Sequence, residues 1–530
     1  MTKRLSSPLD AIRPAYDAVV VGSGYGGGVA ASRLSRAGLR VCVIERGREF
    51  LTGEFPARLP ELRRELQIVG GKMRSGRRTG LFDFRLGSDI HVLIGCGLGG
   101  GSLINAAVGL RPDARVFTDA AWPQQVREDG LLDQGFARAN AMLRPTRHGR
   151  PSDFTKYRAL EAASACFGQP PVPAPVVVSF AETVNPAGVE QPACTLCGDC
   201  CSGCNVGAKN TIALTYLPDA KAHGAEIFTE LTVTRVAKEG SHWRVYFAPT
   251  EEPDAALSSI GAKTVVLSAG TLGSTEILLR SREEGLSLSD CLGQRFSANG
   301  DIIAFALGGN ERVNGIGVGH PPKFVGDAIG ACVTGEIELH DSGRLDHSMY
   351  IQEGVLPSAL APLLPVFFIS GGRLLGAAQT LIKGVYQGPL QSLQTFFVVS
   401  HDDANGRIRL ENGKAQIDWP NVAEQPAARN EEHREQRRER RRQHALLDEH
   451  RVVETTIVMQ LDLAGDTGAD GVADEFRRIA DADAVHPPLP AKGKGDDVAI
   501  GGEALTKPIG HGKPLLTRAE QDLGRAERAG

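Results

Sequence analysis

The stretch DAVVVGSGYGGGVAASRLSRAGLRVCVIE, residues 17–45, constrains this chain more than any other. DAVVV is short and apolar throughout, as a strand covered on both faces of a parallel sheet must be. GSGYGGG sets Gly22, Gly24 and Gly27 in the G-x-G-x-x-G pattern, VAASRLSRAG predicts a helix, and LRVCVIE predicts a second strand ending in Glu45. Each glycine has a mechanical reason: Gly22 permits the tight turn, Gly24 lets backbone approach a pyrophosphate, and Gly27 lets helix and strand pack closely. The helix N-terminus then offers its positive dipole end to phosphate. Glu45, about two dozen residues on, is placed to accept from a ribose 2′-hydroxyl, which argues against a 2′-phosphate and leaves NAD or FAD. The whole βαβ context is present, so the unit is read as a dinucleotide site.

A chain of 530 residues exceeds one small core and predicts two or more domains. Its net charge of −4 leaves no electrostatic footprint for nucleic acid, and with only 5% aromatic residues it lacks stacking platforms for single strands. The N-terminus, MTKRLSSPLDAIRPAYD, has no apolar core of a secretory signal. Cys42, Cys96, Cys166, Cys291 and Cys332 are scattered singly, which suits reduced thiols better than a disulfide framework. A cytoplasmic protein is expected. The most apolar stretch, VLPSALAPLLPVFFISGGRLLGAAQTLI from Val355, is broken by prolines and a Gly-Gly pair, so a transmembrane helix is not expected. It reads as core packing or as an apolar wall for a substrate.

A second glycine-rich run, GCGLGGGSLIN at 95–105, has propensity for neither helix nor strand and reads as backbone pressed against a flat or anionic ligand. Here the sequence resembles the glucose–methanol–choline (GMC) oxidoreductases, in particular their bacterial cholesterol-oxidase-like branch. The resemblance rests on GSGYGGG at 22–28, GCGLGGGSLIN at 95–105, VVLSAGTLGSTEILLRS at 265–281, GQRFSANGD at 293–301 and MYIQEGVLPSALAPLLP at 349–365, in the family's order. It implies FAD as cofactor, with Gly99, Gly100, Ser102 and Asn105 in the loop against the flavin and Ala269 and Gly270 at a strand-end contact. It also implies an α/β fold, α+β overall: a Rossmann-like, doubly wound FAD-binding domain interleaved with a substrate domain built on an antiparallel sheet. The residues agree, with parallel-type strands at 17–21, 40–45 and 264–268 and paired strands in EIFTELTVTRV and HWRVYFAP. The expected organisation is an FAD-binding domain over 12–310, with insertions around 46–90 and 131–210, a substrate domain over 311–424, and an atypical, poorly ordered tail over 425–530.

The implied reaction is oxidation of an alcohol, with the flavin taking a hydride and the protein supplying a base. The branch implies a 3β-hydroxysterol, oxygen as acceptor and hydrogen peroxide as product. Glu353, in IQEGVLP, falls where the branch carries a glutamate that moves a proton during double-bond isomerisation. A carboxyl between apolar runs should have a raised pKa, which suits a proton shuttle, although a merely buried, hydrogen-bonded glutamate fits the same pattern. A long-chain or other hydrophobic alcohol, with electrons passed to another acceptor, is the alternative. Either substrate would be met by transient contact with a membrane surface.

The family's C-terminal HPLGG-like histidine and the asparagine after it should follow Trp419. The match runs through ENGKAQIDWPN and then stops. An Arg- and Glu-dense run follows, its charges balanced, then a segment rich in Ala, Asp, Gly and Pro with little to bury. The break reads as divergence or as a reading frame that is not the natural one. His486, in AVHPPLP, is the candidate base, ahead of His511, and no asparagine follows Asn430. A flavin-binding protein with crippled catalysis is therefore a third reading.

Residues 194–204, CTLCGDCCSGC, place Cys194, Cys197, Cys200 and Cys204 in the C-x2-C-x2-C-x3-C spacing of an iron–sulfur site. Asn205 stands where proline is usual, and no second run accompanies it. Cys-rich segments of this kind occur in the branch before a G-x-K-x-T stretch, matched here by Gly207, Lys209 and Thr211. An iron–sulfur cluster, zinc, and free or redox-active thiols are the three expectations.

Overall fold

The computed structural model describes residues 4–419, except 71–72, 88, 121, 129, 166, 307–311, 325, 362–387 and 412, together with Met459–Leu461. These belong to one compact unit, Met1–His486; a second, Pro487–Gly530, lies outside the described residues.

DAVVV forms the last five residues of strand β1 (Ala15–Val21), followed by helix α1 (Tyr25–Arg36) and strand β2 (Val41–Ile44). Strands β3 (Glu226–Phe228), β4 (Leu231–Glu239), β5 (His242–Pro249) and β6 (Ser258–Leu267) complete a sheet of order β3-β2-β1-β6-β5-β4. Its first four strands run parallel, and β5 and β4 add an antiparallel hairpin beside β6. The apolar run in β1 is continuous because both faces are covered. Ala18 and Val20 pack with Leu34 of α1 and Leu217 of the helix Tyr216–Ala222. Val19 and Val21 pack on the other face with Ile277 of α2 (Gly270–Glu283). The sheet is doubly wound, and the α/β expectation holds.

A second sheet is antiparallel, in the order β7 (Ile302–Ala306), β10 (Gln394–Val399), β9 (Met349–Gly354), β8 (Gly335–Leu339), closed by Val172–Pro173. It draws on chain segments before and after residue 311, so the two layers are interleaved in sequence. Glu353 lies near the end of β9, opposite Phe396. A third sheet carries the strand His91–Gly95, which leads into the second glycine run. Its edge is Met459–Leu461, paired parallel to His91–Leu93, so this piece of the segment after 425 is a strand. Trp419 is fully buried, edge-on to Phe296 with centroids 5.7 Å apart. His486, His511 and the apolar stretch after Ala361 lie outside the described residues.

Among the described residues no helix is long and apolar enough to cross a membrane.

Candidate functional site

Three backbone segments meet at the C-terminal ends of β1 and β6. Gly22 has φ +92°, and a Cβ there would lie 2.3 Å from the Ser268 carbonyl oxygen; a Cβ on Gly27 would lie 2.0 Å from the Gly22 oxygen. The second glycine run folds onto the first, since a Cβ on Gly100 (φ +55°) would meet the Gly24 Cα at 2.8 Å. Side chains larger than hydrogen would hold these backbones apart.

Ser23 joins the segments: its hydroxyl donates to Glu45 Oε2 (2.6 Å) and accepts from the Gly99 N–H (2.9 Å). Glu45, buried at the end of the second strand, also accepts from the Ser23 N–H (3.0 Å) and the Gly47 N–H (2.8 Å). Ser102 donates to the Gly99 carbonyl (2.6 Å) and accepts from the Ile212 N–H (3.0 Å). Asn105 donates from Nδ2 to the Tyr25 hydroxyl (2.7 Å), and burial pushes that phenol up to about 12. Ala269 donates to Ser274 Oγ (3.0 Å), and Gly270 takes φ +74°.

The cradle is open where an anionic ligand would need it. Atoms added at Gly24 or Gly270 meet nothing within 4 Å. The first turn of α1 has no side-chain cap, and the buried Ser268 hydroxyl has no partner among the described residues. Uncapped N–H groups beside open space suit a phosphate-bearing ligand.

Lys209, fully buried, donates to the carbonyls of Leu103 (3.2 Å), Asn105 (2.7 Å) and Cys200 (3.1 Å). It ties the Cys-rich segment to the second glycine loop, and burial pulls its ammonium below the usual lysine range. The sequence marked Lys209 within G-x-K-x-T but said nothing of these partners.

Glu353 is held otherwise than a free carboxyl between apolar runs would be. Its Oε2 lies 2.6 Å from Lys156 Nζ, with both side chains essentially inaccessible to solvent (0% and 1%). Its Oε1 accepts from the Thr334 and Gly335 N–H groups, each at 2.9 Å, and contacts the Thr334 hydroxyl. Burial pushes the Glu353 carboxyl up, against the pull of the Lys156 ammonium and the Thr334 donors. Sequence reading missed Lys156. Its signal lies in the helix Thr155–Ser164, where Lys156, Leu160 and Ser164 share the buried stripe.

Also missed was Glu336, the cross-strand partner of Gln352, next to Glu353 on β9. Its Oε2 accepts from Gln352 Nε2 (2.9 Å), while its buried Oε1 has no partner among the described residues. Burial pushes Glu336 up to about 7. A glutamate in the unfolded chain titrates near ~4.3. Between these values the folded state keeps a proton that the unfolded chain has lost, so stability falls as pH rises through the window. Glu336→Gln should therefore stabilise the protein by about 3 kcal/mol at pH 8 and have little effect near pH 4. Denaturant titrations at both pH values check this, and an equal effect at the two would refute it.

For the expectation that Cys194, Cys197, Cys200 and Cys204 converge on an iron–sulfur cluster or zinc the structure offers no support. Among the described residues no group of three or more His, Cys, Asp or Glu is arranged to hold a metal ion. The backbone turns sharply within the run, at Leu196 (φ +59°), Gly198 (φ +79°) and Gly203 (φ +96°), and the four cysteines line one cavity. Cys194 accepts from the Leu196 N–H (3.3 Å), and Cys201, outside the ferredoxin-like pattern, touches Cys332 instead. Burial pushes the Cys194 thiol up to about 12 and Cys197 to about 11. Asp199 anchors the segment, accepting from the Gly319 N–H (2.6 Å) and the Ser358 N–H (2.7 Å).

The structure thus brings together Gly22, Gly24, Gly27, Glu45, Gly99, Gly100, Ser102 and Asn105, with Ala269 and Gly270 beside them. Glu353 sits on the other sheet.

A family model described as GMC oxidoreductase matches residues 16–297, more than half of the chain. A cholesterol oxidase of Mycobacterium tuberculosis (strain H37Rv) is 27% identical over 424 residues, covering 76% of this chain and 67% of its own length. A cholesterol oxidase of Acinetobacter baumannii is 28% identical over 328 residues, covering 54% of this chain and 55% of its own. A long-chain-alcohol oxidase of Arabidopsis thaliana is 29% identical over 225 residues, covering 41% and 26%. A solved pyridoxine 4-oxidase from Mesorbium loti overlays with TM-score 0.47 and 17% identity, covering 87% of this chain and 86% of that one.

Proposed function

Because the chain belongs to the GMC oxidoreductase family, we propose that it oxidises the hydroxyl of a hydrophobic alcohol, a 3β-hydroxysterol first, to the ketone. The observation that carries the reading is the glycine-on-glycine cradle at Gly22–Gly27 and Gly99–Gly100, set among likenesses to cholesterol oxidases. The cradle fits FAD: Gly24 and the α1 N-terminus would face its pyrophosphate, Glu45 its ribose, and Gly99 to Asn105 with Ala269 and Gly270 its ring system. When bound, FAD supplies hydride acceptance, and oxygen then takes the electrons as hydrogen peroxide. The residues here bind and orient: Ser23 fixes the crossing of the two loops, and Lys209 holds the carbonyls of Leu103 and Asn105.

Glu353 is the residue assigned to proton movement on the substrate side. Its Lys156 and Thr334 partners fix the carboxyl's position, and its burial favours the protonated form. Glu353→Gln is expected to lower double-bond isomerisation of a Δ5-3-ketosteroid by about 100-fold. Alcohol oxidation should stay within about tenfold of the parent enzyme, a loss of at most about 1.4 kcal/mol of transition-state stabilisation. Equal loss of both steps would remove the assignment.

Likeness to the Arabidopsis long-chain-alcohol oxidase favours a second reading, an extended aliphatic alcohol as substrate. Oxygen uptake and dye reduction with cholesterol and with a long-chain 1-alcohol, after a visible spectrum of the purified protein, separate these. Flavin bands with oxygen uptake on cholesterol support the first reading. Turnover on the aliphatic alcohol alone supports the second. Flavin without turnover on either supports a binding protein with crippled catalysis.

A further inference from the structure

We propose that Cys201 and Cys332 are a redox-active pair that closes to a disulfide when the protein meets a peroxide. Their sulfurs lie 3.3 Å apart although 131 residues separate them in sequence. Among the described residues this is the one thiol–thiol contact at hydrogen-bonding distance, even though five cysteines crowd residues 194–204. A disulfide bond is about 2.05 Å long, so the sulfurs need approach by only about 1.2 Å.

The two cysteines differ in access. Cys201 is partly exposed in the turn Cys200–Ser202, whereas Cys332 is buried just before β8. Cys201 is therefore the sulfur a peroxide reaches first. Its sulfur attacks one peroxide oxygen, the O–O bond breaks, and the products are a sulfenic acid and one water. The Cys332 sulfur then displaces the sulfenic oxygen, which leaves as a second water carrying the remaining thiol proton. Two electrons pass from the thiols to the peroxide, and two thiols and one hydrogen peroxide become one disulfide and two waters.

The bond would join two buried lysine anchors. The Cys200 carbonyl accepts from Lys209, which also holds the Leu103 and Asn105 carbonyls of the second glycine loop. The Cys332 carbonyl accepts from Lys156 (3.3 Å), the partner of Glu353. Oxidation therefore cross-links the segment holding the cradle to the segment holding the buried carboxylate.

The test uses added hydrogen peroxide, so its outcome is independent of which alcohol the protein oxidises. The purified full chain is reduced, desalted, exposed to hydrogen peroxide, denatured in iodoacetamide and digested without reductant for mass spectrometry. The expected product is a peptide pair joined through Cys201 and Cys332, lost on treatment with dithiothreitol. Oxidation should also shift the thermal midpoint upward in the parent protein and leave Cys201→Ser unshifted. The proposal is overturned by Cys332 recovered alkylated after Cys201 has been oxidised. It is equally overturned by Cys201 joined to Cys194, Cys197, Cys200 or Cys204, or by the same upward shift in Cys201→Ser.

Discussion

Replacing Lys156 with methionine is expected to destabilise the folded protein by about 3–5 kcal/mol. The ammonium lies 2.6 Å from Glu353 Oε2 in a site closed to water, and it also donates to Thr334 Oγ1 (3.1 Å) and the Cys332 carbonyl. Methionine fills most of the stem's volume, so the loss isolates the charge. Glu353 would keep its Thr334 and Gly335 donors but lose its counter-charge, and an uncompensated buried carboxylate is costly. Combining Lys156→Met with Glu353→Gln removes both charges and should recover about 1–3 kcal/mol of that loss, since residues in direct contact are coupled. Urea unfolding of the parent, the two single variants and the double variant closes the cycle. A Lys156→Met protein within about 1 kcal/mol of the parent would show that the pair is not held as described.

Gly24→Ala and Gly27→Ala should both weaken FAD binding by at least about tenfold, or 1.4 kcal/mol, for different reasons. At Gly27 the added carbon would sit 2.0 Å from the Gly22 oxygen and 3.3 Å from Ser268 Cβ, so α1 must lift off the strand ends. Stability should fall together with flavin content. At Gly24 the added carbon meets no protein atom within 4 Å, and φ is −65°, which alanine adopts freely. That variant should fold as well as the parent and lose flavin alone, because the space it fills belongs to the ligand. Flavin titration with thermal unfolding of the apoprotein distinguishes the two. A Gly24→Ala protein that binds FAD as the parent does would place the pyrophosphate elsewhere.

The cradle was legible because its signals are local. Gly22, Gly24 and Gly27 stand between an apolar strand and a helix within a few residues of one another. Backbone that must turn or come close leaves glycine as its trace in any such segment. The Cys-rich run was legible as a cluster, and no metal-holding group stands among the described residues. Spacing along the chain carries no information about the positive φ at Leu196, Gly198 and Gly203 that shapes the run. Glu353 was legible as a buried carboxyl, but its environment was not.

The sequence alone determined the βαβ unit, the doubly wound α/β layer and the glycines that let two loops cross, since each depends on periodicity or on contacts near in the chain. The tertiary structure decided the partners of the buried polar groups. Lys156 and Glu353 are 197 residues apart, and Cys201 and Cys332 are 131 apart. A buried charge or thiol demands a partner wherever the fold delivers one, and that demand has no period along the chain.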